Sequence, residues 1–181
     1  SARQLADAGF DRISLRAEDR VVLGKEASIG TADGQKLRAI TVSSPVLKAE
    51  DGGVHELRAS YVALGDVDQK AKFGVNAGSL PSSSAGSATL AVNAGLIEVH
   101  GKSALQGWQS VDLNATLDKS FVNTRRDGEI RFIGRTADSN SFVLTGYLGF
   151  DGVLTLRAGQ SYATTLSSFT VKGASGHSTL K

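Results

Sequence analysis

One short phrase recurs along the chain and constrains its fold more than any other feature. It appears as Leu15-Arg16-Ala17, Leu37-Arg38-Ala39, Leu57-Arg58-Ala59 and Leu156-Arg157-Ala158. Val92-Asn93-Ala94 and Leu113-Asn114-Ala115 are close relatives, and Phe132-Ile133-Gly134 is a weaker one. From the first residue of each phrase to the next, the steps are 22, 20, 35, 21, 19 and 24 residues. A unit of about 20 residues cannot bury its own apolar face, so it must stack on copies of itself. The long step of 35 residues contains residues 66–86, a polar run around Leu80-Pro81-Ser82-Ser83-Ser84-Ala85-Gly86 that reads as an inserted loop.

Within each unit, apolar residues alternate with polar ones, as at Ile13/Leu15, Ile40/Val42, Leu90/Val92, Val111/Leu113, Ile130/Phe132 and Leu154/Leu156. Period two marks strands with one buried face. Twenty-one glycines supply corners. The expected fold is all-β: a right-handed parallel β-helix, or solenoid, of about seven coils, formed by residues 1–181 as one segment. Strands about 4.8 Å apart would make it a rod roughly 30 Å long. A β-sandwich is the alternative, although it explains the alternation and not the recurring phrase. A leucine-rich repeat needs more leucines per unit. Only Ala2 to Ala8 shows a helical tendency, ended by Gly9.

Composition excludes several chemistries. There is no cysteine, which removes disulfides, thiolate metal sites and cysteine nucleophiles. Twenty basic against 18 acidic residues leave a net charge of +2, too weak a field to argue for nucleic acid. No run of 18 apolar residues is present to span a membrane as a helix. With no methionine, Ser1 reads as a processed end or the start of an excised fragment, and Ser1 to Phe10 lacks a signal-peptide pattern.

Several phrases together carry a resemblance. They are Gly9-Phe10 followed by the alternating Asp11 to Leu15, Tyr61-Val62-Ala63-Leu64-Gly65, and Leu90 through Ile97. Leu105 through Asn114, Gly128 through Phe132, and Leu154 through Thr165 continue the series. From about Leu5 to about Gly173 the chain resembles the large filamentous-haemagglutinin-type exoproteins of Gram-negative bacteria. The resemblance implies an internal β-helix segment of a long secreted passenger, exported by two-partner secretion through an outer-membrane barrel. Its implied work is adhesion, biofilm cohesion or delivery of a terminal toxin at the cell surface. The family's Asn-Pro-Asn-Gly secretion signature is missing, and no toxin motif is present.

Candidate sites are few. Asn93 and Asn114 hold equivalent places 21 residues apart and read as an asparagine ladder, a stack of amides along the rod. Asp66 and Asp68 alternate, which would put both carboxylates on one strand face. They are nominated for ligand contact, although a solvated loop entrance beside Gly65 and Lys70 explains them better. A calcium site needs six to eight oxygens, and no third carboxylate lies close by. Trp108, the single tryptophan, is nominated as a sugar-stacking contact against the competing expectation that it fills the core. His55, His100 and His177 share no ligand spacing; His55 and His177 are expected to be exposed and His100 to sit in a turn. Gly30-Thr31-Ala32-Asp33-Gly34 and Gly146-Tyr147-Leu148-Gly149 read as turns that open no helix, so neither is a phosphate cradle. Arg125, Arg126, Arg131 and Arg135 form a basic run diluted by Asp127, Glu129 and Asp138, which reads as a solvated face.

No catalytic constellation, metal or cofactor is expected. The expected function is a structural and interaction segment of a secreted adhesin, whose partners are surface glycans or proteins. A polysaccharide-active enzyme on the same fold, or a stand-alone carbohydrate-binding module, is the alternative. Uncapped solenoid ends expose sheet edges, so the isolated segment is expected to associate end to end.

Overall fold

Alternating strands with apolar inner faces and glycine corners dictate the architecture seen in a computed structural model of the chain. The structure describes residues 10–30, 37–50, 52–68, 85–116, 128–137, 142–174 and 179–180. The expected helical tendency at residues 2–8 and most of the inserted loop lie outside these residues. So do His177, Arg125 and Arg126. The described residues contain strands and no helix, hence no helix long and apolar enough to cross a membrane.

Three sheets form. The first contains β1 (Arg12–Arg16), β4 (Ala39–Ser43), β7 (Tyr61–Gly65), β9 (Leu96–His100), β12 (Glu129–Ile133) and β16 (Gln160–Ala163), in that spatial order. The second runs β2 (Val21–Leu23), β5 (Val46–Ala49), β10 (Lys102–Gln106), β14 (Leu144–Phe150) and β17 (Ser167–Gly173). The third runs β3 (Ser28–Ile29), β6 (Val54–Arg58), β8 (Ala88–Ala94), β11 (Trp108–Ala115), β15 (Val153–Arg157) and β18 (Thr179–Leu180). Every pairing among these strands is parallel. The short β13 (Thr136–Ala137) adds an antiparallel pairing with β14. The chain visits the sheets in rotation and returns to each one strand further along, an arrangement consistent with a solenoid. An antiparallel sandwich makes no such ladders.

One passage skips a sheet. After β7 the chain reaches β8 in the third sheet with residues 69–84 between them, and β5 pairs directly with β10. The expected insertion therefore falls where a second-sheet strand would otherwise stand.

In-register pairing turns the alternation into columns of like side chains. In the first sheet Ile13, Ile40, Val62, Ile97 and Ile130 stack inward, beside Leu15, Val42, Leu64, Val99 and Phe132. In the third sheet Leu57, Val92, Leu113 and Leu156 stack, beside Leu90, Val111 and Leu154. All but Leu15 and Leu156 of these are buried, most of them fully.

The columns correct the expected period. Leu57, Val92, Leu113 and Leu156 do share a column, but Leu15 and Phe132 stand in the first sheet and Leu37 precedes β4. Along the first-sheet column from Leu15 to Val42, Leu64, Val99, Phe132 and Ala163, the true steps are 27, 22, 35, 33 and 31 residues. The recurring phrase marks a strand's inward leucine followed by an outward arginine or asparagine. That local need arises in more than one sheet.

Corners bring successive passes close together. Gly65 ends β7 at φ 93°, and a Cβ there would collide with the carbonyl oxygen of His100 one strand away. Gly146 is not in a turn, as its glycine-bounded setting implied, but within β14, where the Phe169 ring occupies the space a Cβ would need.

Beside the skipped passage, Ser103 is 5% exposed and its hydroxyl has no hydrogen-bond partner. It faces a cavity of about 10 Å³ lined by Val42, Leu47, Leu64 and Leu105. Replacing Ser103 by alanine removes a buried unsatisfied hydroxyl, so Ser103→Ala should be at least as stable as the parent. Leu113→Ala, by contrast, should cost about 2–5 kcal/mol. Urea denaturation of both variants checks the pair.

Candidate functional site on the outer face of the first sheet

The alternation that sends isoleucines inward sends polar residues outward. On the first sheet the outward columns run Ser14, Thr41, Ala63, Glu98, Arg131 and Tyr162, flanked by Arg16, Ser43, Gly65 and His100. An outward column should be wet, yet Ser43 and His100 are each only 3% exposed. Chain laid over them accounts for this. Beyond β7 a tight turn, Val67 N–H to Gly65 O at 2.9 Å, lifts Asp66 to Asp68 across the sheet, and Asp68 N–H donates to Ser43 Oγ at 3.4 Å. Arg135 covers His100 from the side of β12 and β13.

Here a hydrogen-bonded network assembles from three strands. Tyr61 Oη donates to Glu98 Oε2 at 2.6 Å. His100 Nε2 lies 3.0 Å from the same oxygen. Arg135 donates from Nε and Nη2 to His100 Nδ1, at 3.2 and 2.8 Å. A guanidinium only donates, so Nδ1 must be bare and Nε2 must carry the hydrogen facing Glu98. Arg131 Nη1 stands 3.7 Å from Glu98 Oε1, while its Nη2 pairs with Glu129 at 2.6 Å. Tyr162 Oη closes the outer edge by donating to Glu129 at 3.0 Å.

The electrostatics follow from these contacts. The His100 hydrogen bond holds the Glu98 carboxyl below its ordinary 4.5, outweighing burial, with Tyr61 assisting. Burial and the adjoining Glu98 push the Tyr61 phenol well above its usual range. Asp66 goes the other way: burial raises its carboxyl above the usual 3.8 despite Arg135 and His100, and Asp68 adds to the rise. Its Oδ1 is buried with no hydrogen-bond partner.

An open groove of about 610 Å³ runs beside this network. Its floor is Ser14, Thr41 and Ser43, and its walls are Val67, the Arg16–Asp68 ion pair at 2.7 Å, and Arg135.

The residues nominated from sequence disperse. Asp66 and Asp68 do reach this face, but not as strand neighbours; β7 ends at Gly65, and they belong to the segment crossing over it. Asn93 and Asn114 pair in register on the outer face of the third sheet, and Asn114 Nδ2 donates to Asn93 Oδ1 at 3.1 Å. Asn93 Nδ2 continues the chain to Glu56 at 2.8 Å. Trp108 is fully buried, its indole N–H donating to Leu47 O at 3.1 Å, so its ring is shut away from any sugar. His55, expected at the surface, is also fully buried and stands edge-on to Trp108 with centroids 5.2 Å apart. Its Nδ1 accepts the Ala27 N–H at 3.1 Å. His100 ends β9 and is built into the network. Among the described residues no three metal-ligating side chains converge.

Sequence reasoning missed Tyr61 and Glu98 and dismissed His100 and Arg135. The alternation in Leu96-Ile97-Glu98-Val99-His100 shows that Glu98 and His100 share an outward face. Nothing local shows that Tyr61 and Arg135 meet them from 37 and 35 residues away. No family model, curated protein or solved structure matches the chain.

Acid should loosen this fold in two stages. Burial lowers the His55 imidazole below its ordinary 6.5, against a weaker pull from Glu26. Below pH 6.5 the unfolded chain therefore takes up a proton that the folded chain resists, and stability falls. Glu98 has the same sign: its contribution is full above 4.5 and is lost as pH drops through its depressed value. Asp66 opposes both, because its raised carboxyl costs stability when ionised and that cost is relieved in acid. Urea midpoints should fall from pH 6.5 to 4.5 in the parent and fall less in His55→Gln. The further loss below pH 4.5 should shrink in Glu98→Gln.

Proposed function

We propose that the chain is a β-helical shaft segment of a secreted, surface-exposed bacterial adhesin of the filamentous-haemagglutinin type, acting in adhesion or biofilm cohesion. In this reading the three sheets close into a right-handed solenoid, with one coil for each rotation through them. Counting one coil for each strand of the first sheet, this reading has about six coils in the described residues. The observation that carries the proposal is the continuity of the parallel ladders through all three sheets, which makes the segment a stiff spacer. The outer faces are left to meet a partner, and the first sheet offers the groove. In this reading, supported by the phrases that resemble that family, the segment belongs to a longer passenger that reaches the surface through an outer-membrane barrel.

A second reading has one observation in its favour. Asp66 and Glu98 flank His100, one carboxyl held up and the other held down, and such a pairing suits acid–base chemistry. A polysaccharide-active enzyme would use them as acid and base.

An immunoblot of producing cells, with and without external protease, separates the two. The shaft reading expects a protease-sensitive band far above 18.8 kDa. A protected band near 18.8 kDa overturns it. The enzyme reading then leads, and requires a polysaccharide-cleaving activity that Asp66→Ala and Glu98→Ala each abolish.

A further inference from the structure

Three acidic side chains of the network have an account. Glu98 is held by His100, Tyr61 and Arg131, Glu129 by Arg131 and Tyr162, and Asp68 by Arg16. Arg135 does not balance in the same way. Among the described residues no carboxylate lies within ion-pair distance of it, and the hydrogen bonds it makes go to one imidazole nitrogen. A guanidinium has five N–H donors, so the edge not turned to His100 keeps donors to spare. Arg135 is also half-buried and lines the groove. Among the described residues Arg135 makes no ion pair, although Asp66 is near enough for it to act on electrostatically, and a half-buried guanidinium with donors to spare beside an open concavity can receive an anion.

We propose that this groove is a subsite for a carboxylated sugar of an acidic polysaccharide, with Arg135 receiving the carboxylate. The proposal rests on the reading of this outer face as the partner-binding surface and specifies what it binds.

The rest of the groove selects a sugar. Ser14 and Thr41 present hydroxyls on the floor, and these donate and accept as sugar hydroxyls do. The exposed Arg16–Asp68 pair on the opposite wall offers both a donor and an acceptor to a diol. Val67 supplies the apolar patch that a sugar ring's C–H face needs. Asp66, whose Oδ1 has no partner, stands next to Arg135 and can bond a hydroxyl of the same residue. An acidic peptide is poorly served, because the groove crosses a sheet face and offers side chains in place of an open strand edge for β-addition.

The experiment is titration calorimetry of the segment with trigalacturonate, with its fully methyl-esterified form and with triglutamate. Trigalacturonate should bind, and the ester and the peptide should each bind at least tenfold more weakly. Arg135→Gln should lose at least tenfold in affinity for trigalacturonate, and the exposed Arg20→Gln should lose nothing. Arg135→Gln also removes a partner of His100, so by itself it does not separate lost binding from lost folding. Thr41→Phe therefore serves as the second variant: it fills the groove floor, leaves the Arg135 hydrogen bonds in place, and should abolish binding too. Equal binding of the ester, equal binding of triglutamate, binding that survives Thr41→Phe in a folded protein, or no binding of trigalacturonate would each overturn the subsite. Any of these results beside a protease-sensitive surface band removes the subsite alone and leaves the shaft reading standing.

Discussion

The in-register parallel backbone ladder is the interaction on which the rest of this structure depends. Each strand hydrogen-bonds to the pass before it and the pass after it. Each inward position thus lies over its counterpart in the next strand, so that Ile13, Ile40, Val62, Ile97 and Ile130 form one column. A slip of one residue would turn that entire column outward. The core is therefore a consequence of register as much as of hydrophobicity. The glycine corners, where Gly65 passes against the His100 carbonyl, let consecutive passes keep that spacing.

The same register builds the polar face. Tyr61, Glu98 and Arg131 come from three strands, and each alone would be an ordinary exposed side chain. Stacked and partly roofed by Asp66 to Asp68, they become a desolvated network in which one imidazole connects a guanidinium to a carboxylate. Interactions of this kind are stronger in partial burial than in water. They also hold the groove's walls in place, since His100 fixes the Arg135 guanidinium before any ligand arrives.

Much of the architecture was legible in the sequence. Alternation in segments such as Leu90-Ala91-Val92 and Val111-Asp112-Leu113 identified strands and their inward faces, because period two follows from strand geometry alone. The pairing of Asn93 with Asn114 could be anticipated, because their phrases occupy like places in adjoining passes. The period was misread because Leu-x-Ala answers a local demand at strand ends in two different sheets. Trp108 fills the core, as one of its two expected placements had it, while His55 was misplaced at the surface because its neighbour Gly53 looks like a surface corner, yet the strand that follows carries the ring inward. The network was illegible because Tyr61 and Arg135 lie 37 and 35 residues from the partners they meet, with segments of irregular length between them. Only the folded register brings them together.

The skipped passage has a further meaning. Where β5 joins β10 directly, the first and third sheets each still hold an intervening strand, β7 and β8. One flank is thus a strand spacing shorter, about 4.8 Å, and the stack must lean toward it. The ladders close above and below the departure point without using the departing chain. That chain can lengthen, shorten or be exchanged while every remaining rung keeps its partner. The molecule has in effect a graft site beyond Asp68, where new sequence can be carried on a frame whose described rungs pair with one another without it.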